Sequence, residues 1–164
     1  MKLTTIQPIA LEIWRDIKPF CEKGKCKIAG SIRRQSKECK DIELVISPKN
    51  RSARTKIGSY FLLNGAGIIK GKFTGRYVKM RFRGVVIDLF IPQSGDYFRQ
   101  FAIRTGSADY SKKIAYAWKK KGYVGTAQGL QPIREGGDMP PKWTSERHFF
   151  EWLGMEYISP SDRN

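Results

Sequence analysis

Apolar side chains recur at two different periods along this chain, and the two periods predict different elements. In residues 6–20 they return every three or four positions, which is typical of one helical face, and Thr5 is placed to cap that helix. A second helix is predicted at 51–63, ended by Asn64 and Gly65. Three runs rich in β-branched and aromatic residues follow, and the middle one, RYVKMRF, alternates apolar with polar side chains. These runs predict a half-buried antiparallel sheet.

The second half of the chain has shorter elements with clear end signals. Residues 92–95 are the best position for a hinge, so we expect two subdomains, at 1–94 and 95–164. A basic helix is predicted from its cap, Ser107, to Lys121. The other predicted elements are a short helix at 96–103, short strands at 123–126 and 130–133, and a last helix at 144–153. The fold class is therefore α+β, with a mixed or antiparallel sheet flanked by helices and a small α+β C-terminal subdomain.

The stretch GSIRRQSKECKDIEL, residues 30–44, concentrates the candidate chemistry. A basic turn, EKGK, and a short strand, CKIA, lead into it. Asp41 and Glu43 are two residues apart in a predicted strand, where such residues share one face. Two carboxylates held that close repel each other unless a cation lies between them. Asp88, the only acid in VVIDLFIP, also needs a partner, because an unpaired charge in a buried strand is costly.

Mg²⁺ is the natural cation for such a site, since it binds one or two carboxylates and leaves other positions for water and substrate phosphate. Gly30 and Ser31 supply the phosphate side: glycine lets a backbone N–H approach an anion, and the serine hydroxyl and Arg34 can hold it. An Asp-x-Glu pair by itself is typical of an exposed edge strand with surface carboxylates. The matching acid at Asp88 favours the metal site instead.

Gly30-Ser31, a nine-residue spacer and Asp41-Ile42-Glu43-Leu44, followed by Asp88 on a later strand, resemble the signature of the DNA polymerase beta nucleotidyltransferase superfamily. The segment RTGSADYSKKIAYAWKKKG resembles the thumb-side nucleotide-binding segment of family X DNA polymerases. The tail SERHFFEWLGMEYISPSDRN resembles the end of that subdomain. The resemblance covers residues 11–164. It is strongest to the minimal viral members of the family, which consist of a palm and one further subdomain.

This resemblance implies a nucleotidyltransferase palm at 1–94 and a thumb- or fingers-like subdomain at 95–164 that binds nucleotide and DNA. It implies a repair-type DNA-directed DNA polymerase that adds deoxynucleotides to a primer 3′-hydroxyl at gaps. Two Mg²⁺ ions, for which Mn²⁺ can substitute, would serve the reaction. Asp41 and Glu43 would hold both ions, and Asp88 would hold the catalytic one. The residues that match the family's nucleotide-binding positions are Gly30, Ser31, Arg34, Thr105 and Gly106.

Three features of the palm half depart from the family pattern. Glu43 stands where family X usually has a second aspartate, and its extra methylene would change how it bridges the ions. Val86 stands where a basic residue commonly supports the third aspartate, so Asp88 must find its support elsewhere. The residues before Gly30 are too few for the lyase domain of beta-type enzymes, so removal of deoxyribose phosphate is not expected.

Further departures lie at positions that touch the incoming nucleotide in the family. Ile103 and Arg104 replace aromatic residues beside the sugar. Ala108 and Ala115 replace polar and arginine contacts to the nascent base pair. With fewer groups to sense the sugar and the pair, the resemblance predicts low fidelity.

The chain carries 31 Lys and Arg against 15 Asp and Glu, a net charge of +16. Such an excess favours a polyanionic partner, and gapped or primer-template DNA is the predicted one, with deoxynucleoside triphosphates as substrate. A solvated basic face is the alternative, but glycine and aromatic residues, not acidic ones, interrupt the basic clusters. The predicted DNA-binding residues are Lys112, Lys113, Lys119, Lys120 and Lys121.

No apolar run approaches the roughly 20 residues of a membrane span, so no membrane partner is expected. The three cysteines show no metal-type spacing with His148, the single histidine. A monomeric cytoplasmic protein with free thiols is expected, or, for a viral protein, one in the virion or host cytoplasm.

Two other functions stay open at this point. A template-independent nucleotidyltransferase would share the carboxylates, but it needs neither the thumb-like segment nor the +16 charge. An inactive basic DNA-binding module would need none of the three carboxylates, and it would gain stability by discarding them.

Overall fold

The computed structural model describes residues 1–93 and 95–163 and contains one larger sheet, one hairpin and helices around both. The helices are α1 (Leu3–Ile17), α2 (Gly30–Arg33), α3 (Arg51–Leu63), α4 (Tyr97–Thr105), α5 (Ala108–Lys120) and α6 (Glu146–Leu153). The strands are β1 (Cys21–Ile28), β2 (Ile42–Pro48), β3 (Gly67–Gly71), β4 (Tyr77–Phe82), β5 (Val85–Phe90), β6 (Tyr123–Thr126) and β7 (Gly129–Pro132). Short 3-10 turns lie at 18–20 and 160–162. The predicted α+β class with flanking helices is confirmed at this level.

Five strands form the larger sheet in the order β1-β2-β5-β4-β3. β2 and β5 run parallel, while the other neighbouring pairs run antiparallel, so the sheet is mixed. A parallel pair needs a crossover connection, and here α3, β3 and β4 lie between the two strands in sequence. This crossover brings the segments that carry Glu43 and Asp88 side by side at the centre of the sheet.

One face of the sheet forms the main core with α1 and α3. Alternate residues of the central strands supply it, because successive side chains point to opposite faces. Its fully buried members include Ile42, Leu44, Ile87, Leu89 and Met80. The opposite face is covered in part by α4, where Tyr97 donates from its hydroxyl to the carbonyl of Val45 at 3.0 Å. The uncovered part of that second face holds the acidic residues.

Two details of the first helix and strand differ from the sequence-based prediction. The cap residue of α1 is Lys2, and Thr5 lies inside the helix, because the chain enters the helix one turn earlier than expected. The EKGK segment, predicted as a turn, belongs to β1, which pairs with β2 across an irregularity between Cys21 and Cys26. Gly24, with a φ of +77°, lies inside this irregularity, so its turn signal appears as a local distortion of the strand.

The C-terminal half has its own core, built from α4, α5, α6 and the β6–β7 hairpin. Ser107 and Ser145 cap α5 and α6, and each accepts a hydrogen bond from a backbone N–H three residues on. The Ser107 cap and the two short strands are confirmed as predicted. The buried aromatic members of this core are Tyr110, Trp118, Trp143, Phe149 and Phe150.

The predicted hinge at 92–95 contains Ser94, which lies outside the described residues. The division into 1–94 and 95–164 stays a prediction. Among residues 1–93 and 95–163, no helix combines the length and the apolar character that a bilayer span requires. Cys21, Cys26 and Cys39 are free thiols, and all three are buried.

Candidate active site

Two acids and a lysine form a row across three adjacent strands. Glu43 on β2 is in register with Asp88 on the parallel strand β5, and Asp88 is in register with Lys79 on β4. Residues in register across neighbouring strands present their side chains on the same face of the sheet. Asp41 lies one residue before β2, so only Glu43 of the predicted Asp-x-Glu pair is in the strand itself. The sheet thus brings all three predicted carboxylates to one place.

The carboxylates interact unfavourably with each other. Burial, followed by the charges of Asp41 and Asp88, raises the pKa of Glu43 to about 7. Burial also raises the pKa of Asp41, followed by the charge of Asp88. Arg104 and Arg34 act on the pKa of Glu43 in the opposite direction. A set of repelling carboxylates in a partly buried position favours a bound cation.

Asp88 obtains its support from the neighbouring strand. Tyr77 donates its hydroxyl proton to Oδ1 of Asp88, and the Lys79 ammonium lies 3.2 Å from Oδ2. The Asp88 residue is almost fully buried, whereas the Lys79 side chain is 35% exposed. Val86 offers no such support, as expected, and the partners are two residues that the sequence-based prediction missed. The alternation of Tyr77 and Lys79 in β4 was visible, but the register that aims them at Asp88 was not.

The three carboxylates are chemically suited to bind a divalent metal, but their side chains are not arranged as a ready-made metal site. Within the part of the chain that the structure describes, no three Asp, Glu, His or Cys side chains form a group that could hold a metal ion. Both oxygens of Asp88 are engaged by Tyr77 and Lys79. Oxygen ligands and mutual repulsion match what Mg²⁺ requires. Coordination by all three acids would therefore require Asp88 to move away from these two partners or to share its oxygens.

Gly30 is placed directly over Glu43. Its φ is +61°, in the left-handed region that favours glycine, and a Cβ at this position would lie 1.8 Å from Glu43 Oε2. The backbone N–H of Ala29 also donates to the carbonyl of Glu43 at 2.8 Å. Ser31 follows in the first turn of α2 and is half-buried. The predicted Gly-Ser turn thus lies against one of the predicted metal ligands.

The other predicted nucleotide-binding residues meet on the far side of this turn. Arg34 donates from Nη1 to the carbonyl oxygens of Thr105 and Gly106, at 2.8 and 3.1 Å, and its buried Nε has no partner. The Thr105 side chain is fully buried and accepts a hydrogen bond from Arg33, so it could meet a nucleotide only through its backbone. A Cβ at Gly106 would lie 2.9 Å from the Tyr110 ring, which explains this glycine by packing alone.

A buried ionic cluster joins the α2 turn to the C-terminal half. Arg33 forms two hydrogen bonds to the Glu146 carboxylate, at 2.9 and 2.7 Å, and its guanidinium lies 3.8 Å from the centre of the Phe101 ring. Arg163, which is fully buried, donates to the same carboxylate at 2.7 Å. Burial alone raises the pKa of Glu146, but the hydrogen bonds from the two arginines outweigh it and hold that pKa below its usual value. We call Arg33, Glu146 and Arg163 the Glu146 cluster.

Sequence-based reasoning missed the Glu146 cluster. Arg33 and Glu146 are 113 residues apart in the sequence, and no local pattern relates them. The only available signal was that Arg33 directly precedes Arg34 in the motif. A pair of adjacent arginines does not reveal which acidic residue each of them contacts.

Arg104 lies between two cavities beside the acids. One, of about 460 Å³, contains Asp88, Lys79 and Tyr77 in its lining, and the other, of about 520 Å³, contains Arg34. Glu43 and Arg104 line both cavities. The Arg104 guanidinium lies 4.1 Å from the centre of the Phe90 ring, and its buried Nε has no partner. Arg104 therefore places a cation at a position where the resemblance predicts an aromatic residue.

Residues 101–164 match the DNA polymerase beta thumb family model. The match supports a relationship to the beta-like family X polymerases, and a polymerase thumb implies DNA binding. It also suggests polymerase or nucleotidyltransferase activity. No curated protein matches the chain significantly. We refer to the matched residues as the thumb segment.

The thumb segment includes α5 and α6 and also the two thumb-like stretches, RTGSADYSKKIAYAWKKKG and SERHFFEWLGMEYISPSDRN. It contributes Arg104, Thr105 and Gly106 to the site and Glu146 and Arg163 to the cluster behind it. The acids themselves lie outside the match: Glu43 and Asp88 are on strands of the larger sheet, and Asp41 directly precedes β2. The assignment of that sheet as a nucleotidyltransferase palm remains a prediction.

The five lysines predicted to bind DNA are all exposed on the thumb segment. Lys112 forms an ion pair with Asp109 at 3.0 Å, in which both side chains are largely exposed. Lys120 lies 5.0 Å from the Tyr116 ring centre and Lys121 lies 5.5 Å from that of Trp152. Lys112 and Lys113 thus lie in the first half of α5, and Lys119, Lys120 and Lys121 lie at its C-terminal end.

Proposed function

We propose that this protein is a repair-type DNA-directed DNA polymerase that adds deoxynucleotides to a primer 3′-hydroxyl at gaps. The observation that carries the proposal is the register of Glu43 with Asp88, beside Asp41, at cavities that the thumb segment also lines. A catalytic site shared between a carboxylate-bearing sheet and a DNA-binding segment is what a polymerase requires. A small-molecule transferase would not need the thumb segment.

Asp41, Glu43 and Asp88 would hold two Mg²⁺ ions, for which Mn²⁺ can substitute. When bound, these ions would lower the pKa of the attacking hydroxyl and neutralise the leaving pyrophosphate. Asp88, deepest in the row, would lie beside the primer terminus. The Tyr77 hydroxyl and the Lys79 ammonium would keep its carboxylate oriented.

The triphosphate would lie against the turn formed by Gly30 and Ser31. Glycine at 30 leaves the space that Glu43 Oε2 needs. Its lack of a Cβ would also allow an anion to approach the backbone of the turn closely. Arg34 is already fixed by two carbonyls of the thumb segment, so it can contribute positive charge without losing side-chain entropy on binding. The base and sugar would then occupy the 520 Å³ cavity between Arg34 and α5.

Extension of a labelled primer, with each nucleotide supplied singly, tests this function. We expect incorporation at a one-nucleotide gap that follows the template base, requires Mg²⁺ and disappears when a chelator is added. The same assay on an unpaired primer and on an RNA end is the control. Equal incorporation of all four nucleotides irrespective of the template, or incorporation only on RNA, would indicate a template-independent transferase.

DNA binding should be dominated by phosphate contacts. On duplex DNA each neutralised phosphate adds about 0.9 to the slope of log affinity against log salt. Replacing Lys119, Lys120 and Lys121 together by alanine should flatten that slope without changing sequence preference. The exposed lysines of the larger sheet, Lys23, Lys70 and Lys72, provide a charge-matched control triple. A salt slope near zero in the native protein would contradict binding through phosphates. Equal flattening by the control triple would contradict the assignment of DNA binding to the lysines at the end of α5.

Sugar and base checking should be weak. Ile103, Arg104, Ala108 and Ala115 line the 520 Å³ cavity, and none of them offers an aromatic face for the sugar. We expect ribonucleotides and mispairs to be accepted more readily than by relatives that retain the aromatic and arginine residues. Ratios of kcat/KM for matched, mismatched and ribonucleotide substrates measure this. Discrimination against ribonucleotides and mispairs as strong as in those relatives would show that other residues check the sugar and the base pair.

A further inference from the structure

An apolar surface on the thumb segment lies open to solvent between α5 and the β6–β7 hairpin. Tyr116, Val124 and Ile133 are 62%, 47% and 57% exposed, and with Trp118 they line a cavity of about 700 Å³. We call this the Tyr116 surface. An exposed aromatic ring surrounded by aliphatic side chains is unfavourable in water unless a partner covers it.

The Tyr116 surface is continuous with the candidate active site. Ala115 and Trp118 line both its cavity and the 520 Å³ cavity beside Arg34. That second cavity in turn shares Glu43 and Arg104 with the cavity that holds Asp88. The three cavities therefore adjoin one another, from the acids to Tyr116, through shared lining residues.

Basic groups surround the Tyr116 surface. Lys112, Tyr116 and Lys119 are four and three residues apart on α5, so they share one exposed face of that helix. Lys119 lines the cavity, and the Lys120 ammonium lies 5.0 Å from the Tyr116 ring centre. Asp109, the single acid of α5, is already paired with Lys112. A second copy of this chain, at +16, would meet like charge here, whereas a polyanion with flat apolar groups would be attracted.

Single-stranded nucleic acid has this combination of properties. Its unpaired bases stack on exposed aromatic side chains, and its phosphates bind lysine. We propose that the Tyr116 surface binds unpaired template bases adjacent to the site of synthesis, with one base stacked on the Tyr116 ring and neighbouring phosphates on Lys112 and Lys119. The proposal rests on the polymerase function proposed above, because a templated reaction supplies such a strand next to the nucleotide cavity.

The test compares two DNA probes of equal duplex length, one blunt and one with a single-stranded template overhang that carries 2-aminopurine at its first unpaired positions. Tyr116→Ala should weaken binding of the overhang probe by about 5- to 150-fold and should leave the blunt probe unchanged. Tyr116→Trp should retain overhang binding. In the native protein the 2-aminopurine fluorescence should be quenched on binding, and in Tyr116→Ala it should not be. Leu63→Ala, an exposed apolar residue of α3, is the control and should change neither probe.

Equal losses on both probes, or no loss on the overhang probe, would overturn the proposal. Concentration-dependent self-association that Tyr116→Ala abolishes, with overhang binding unchanged, would assign the surface to a second copy of the chain instead. Templated incorporation by the native protein is measured in parallel. Incorporation without Tyr116-dependent overhang binding refutes this inference alone, while Tyr116-dependent binding without incorporation refutes only the polymerase function.

Discussion

Asp88→Asn is expected to reduce single-turnover nucleotide incorporation by several orders of magnitude while the protein stays folded. The substitution keeps the shape of the side chain but removes the charge that would hold the catalytic ion against the primer hydroxyl, and two-metal activation contributes several kcal/mol to the transition state. Nucleotide affinity should change little, because Asp41 and Glu43 remain. DNA affinity should stay the same or rise, since a negative charge facing the primer has gone.

The competing explanation is that Asp88 is only a buried ion-pair partner. Removing one member of a buried pair costs roughly 3–5 kcal/mol, because it leaves the other charge unpaired. Lys79, however, is 35% exposed, so its ammonium can turn to water when Asp88 is neutralised. An asparagine Oδ1 can still accept the Tyr77 hydroxyl. Thermal melting beside single-turnover kinetics separates the two explanations, with the exposed Asp138→Asn as control. A variant that melts far lower and loses activity only in proportion to its unfolded fraction would refute the catalytic assignment.

Glu146→Gln is expected to lower the free energy of unfolding by roughly 3–5 kcal/mol. The Glu146 carboxylate accepts hydrogen bonds from Arg33 and from Arg163, and a neutral amide cannot compensate two guanidinium charges. Arg163 is fully buried, so its charge has no route to water without local unfolding. Urea unfolding measures the effect, and Glu151→Gln, an exposed position on the same helix, is the matched control. A loss no larger than that of the control would show that the cluster contributes little.

The same cluster gives a pH dependence of known sign. Because Arg33 and Arg163 hold the pKa of Glu146 below its usual value of 4.5, its stabilising contribution is complete above pH 4.5. The contribution is lost as the pH falls from there through the lower pKa of the folded state. The native protein should therefore lose stability below about pH 4.5 more steeply than Glu146→Gln does. Parallel curves for the two proteins would contradict this.

The elements were predictable because their signals are local. Each of these signals depends on neighbours within a few residues and can therefore be read from the sequence. Examples are the alternation in β4, the serine cap of α5 and the glycine that follows the end of α5. The partners of Asp88 did not follow from such signals, because they depend on how β4 is placed in register with β5. Glu43 and Asp88 were expected to meet because Asp88 needs a partner for its charge and because the family signature contains both acids. The parallel pairing that brings them together across 45 positions was not visible in the sequence. Thr5 was misassigned because α1 begins beside an isolated β-bridge between Lys2 and Glu38, a contact that a local cap signal cannot reveal.

The Glu146 cluster also affects how the chain acquires its structure during synthesis. Arg33 emerges from the ribosome 113 residues before Glu146. At about 5–20 residues per second, the guanidinium waits roughly 6–23 s for its carboxylate. During that time the turn that carries Gly30 and Ser31 has no anchor on the C-terminal side, even if the larger sheet has already formed around it. This turn would therefore be among the last parts of the nascent chain to become rigid, once the C-terminal half has been synthesised and Glu146 has paired with Arg33.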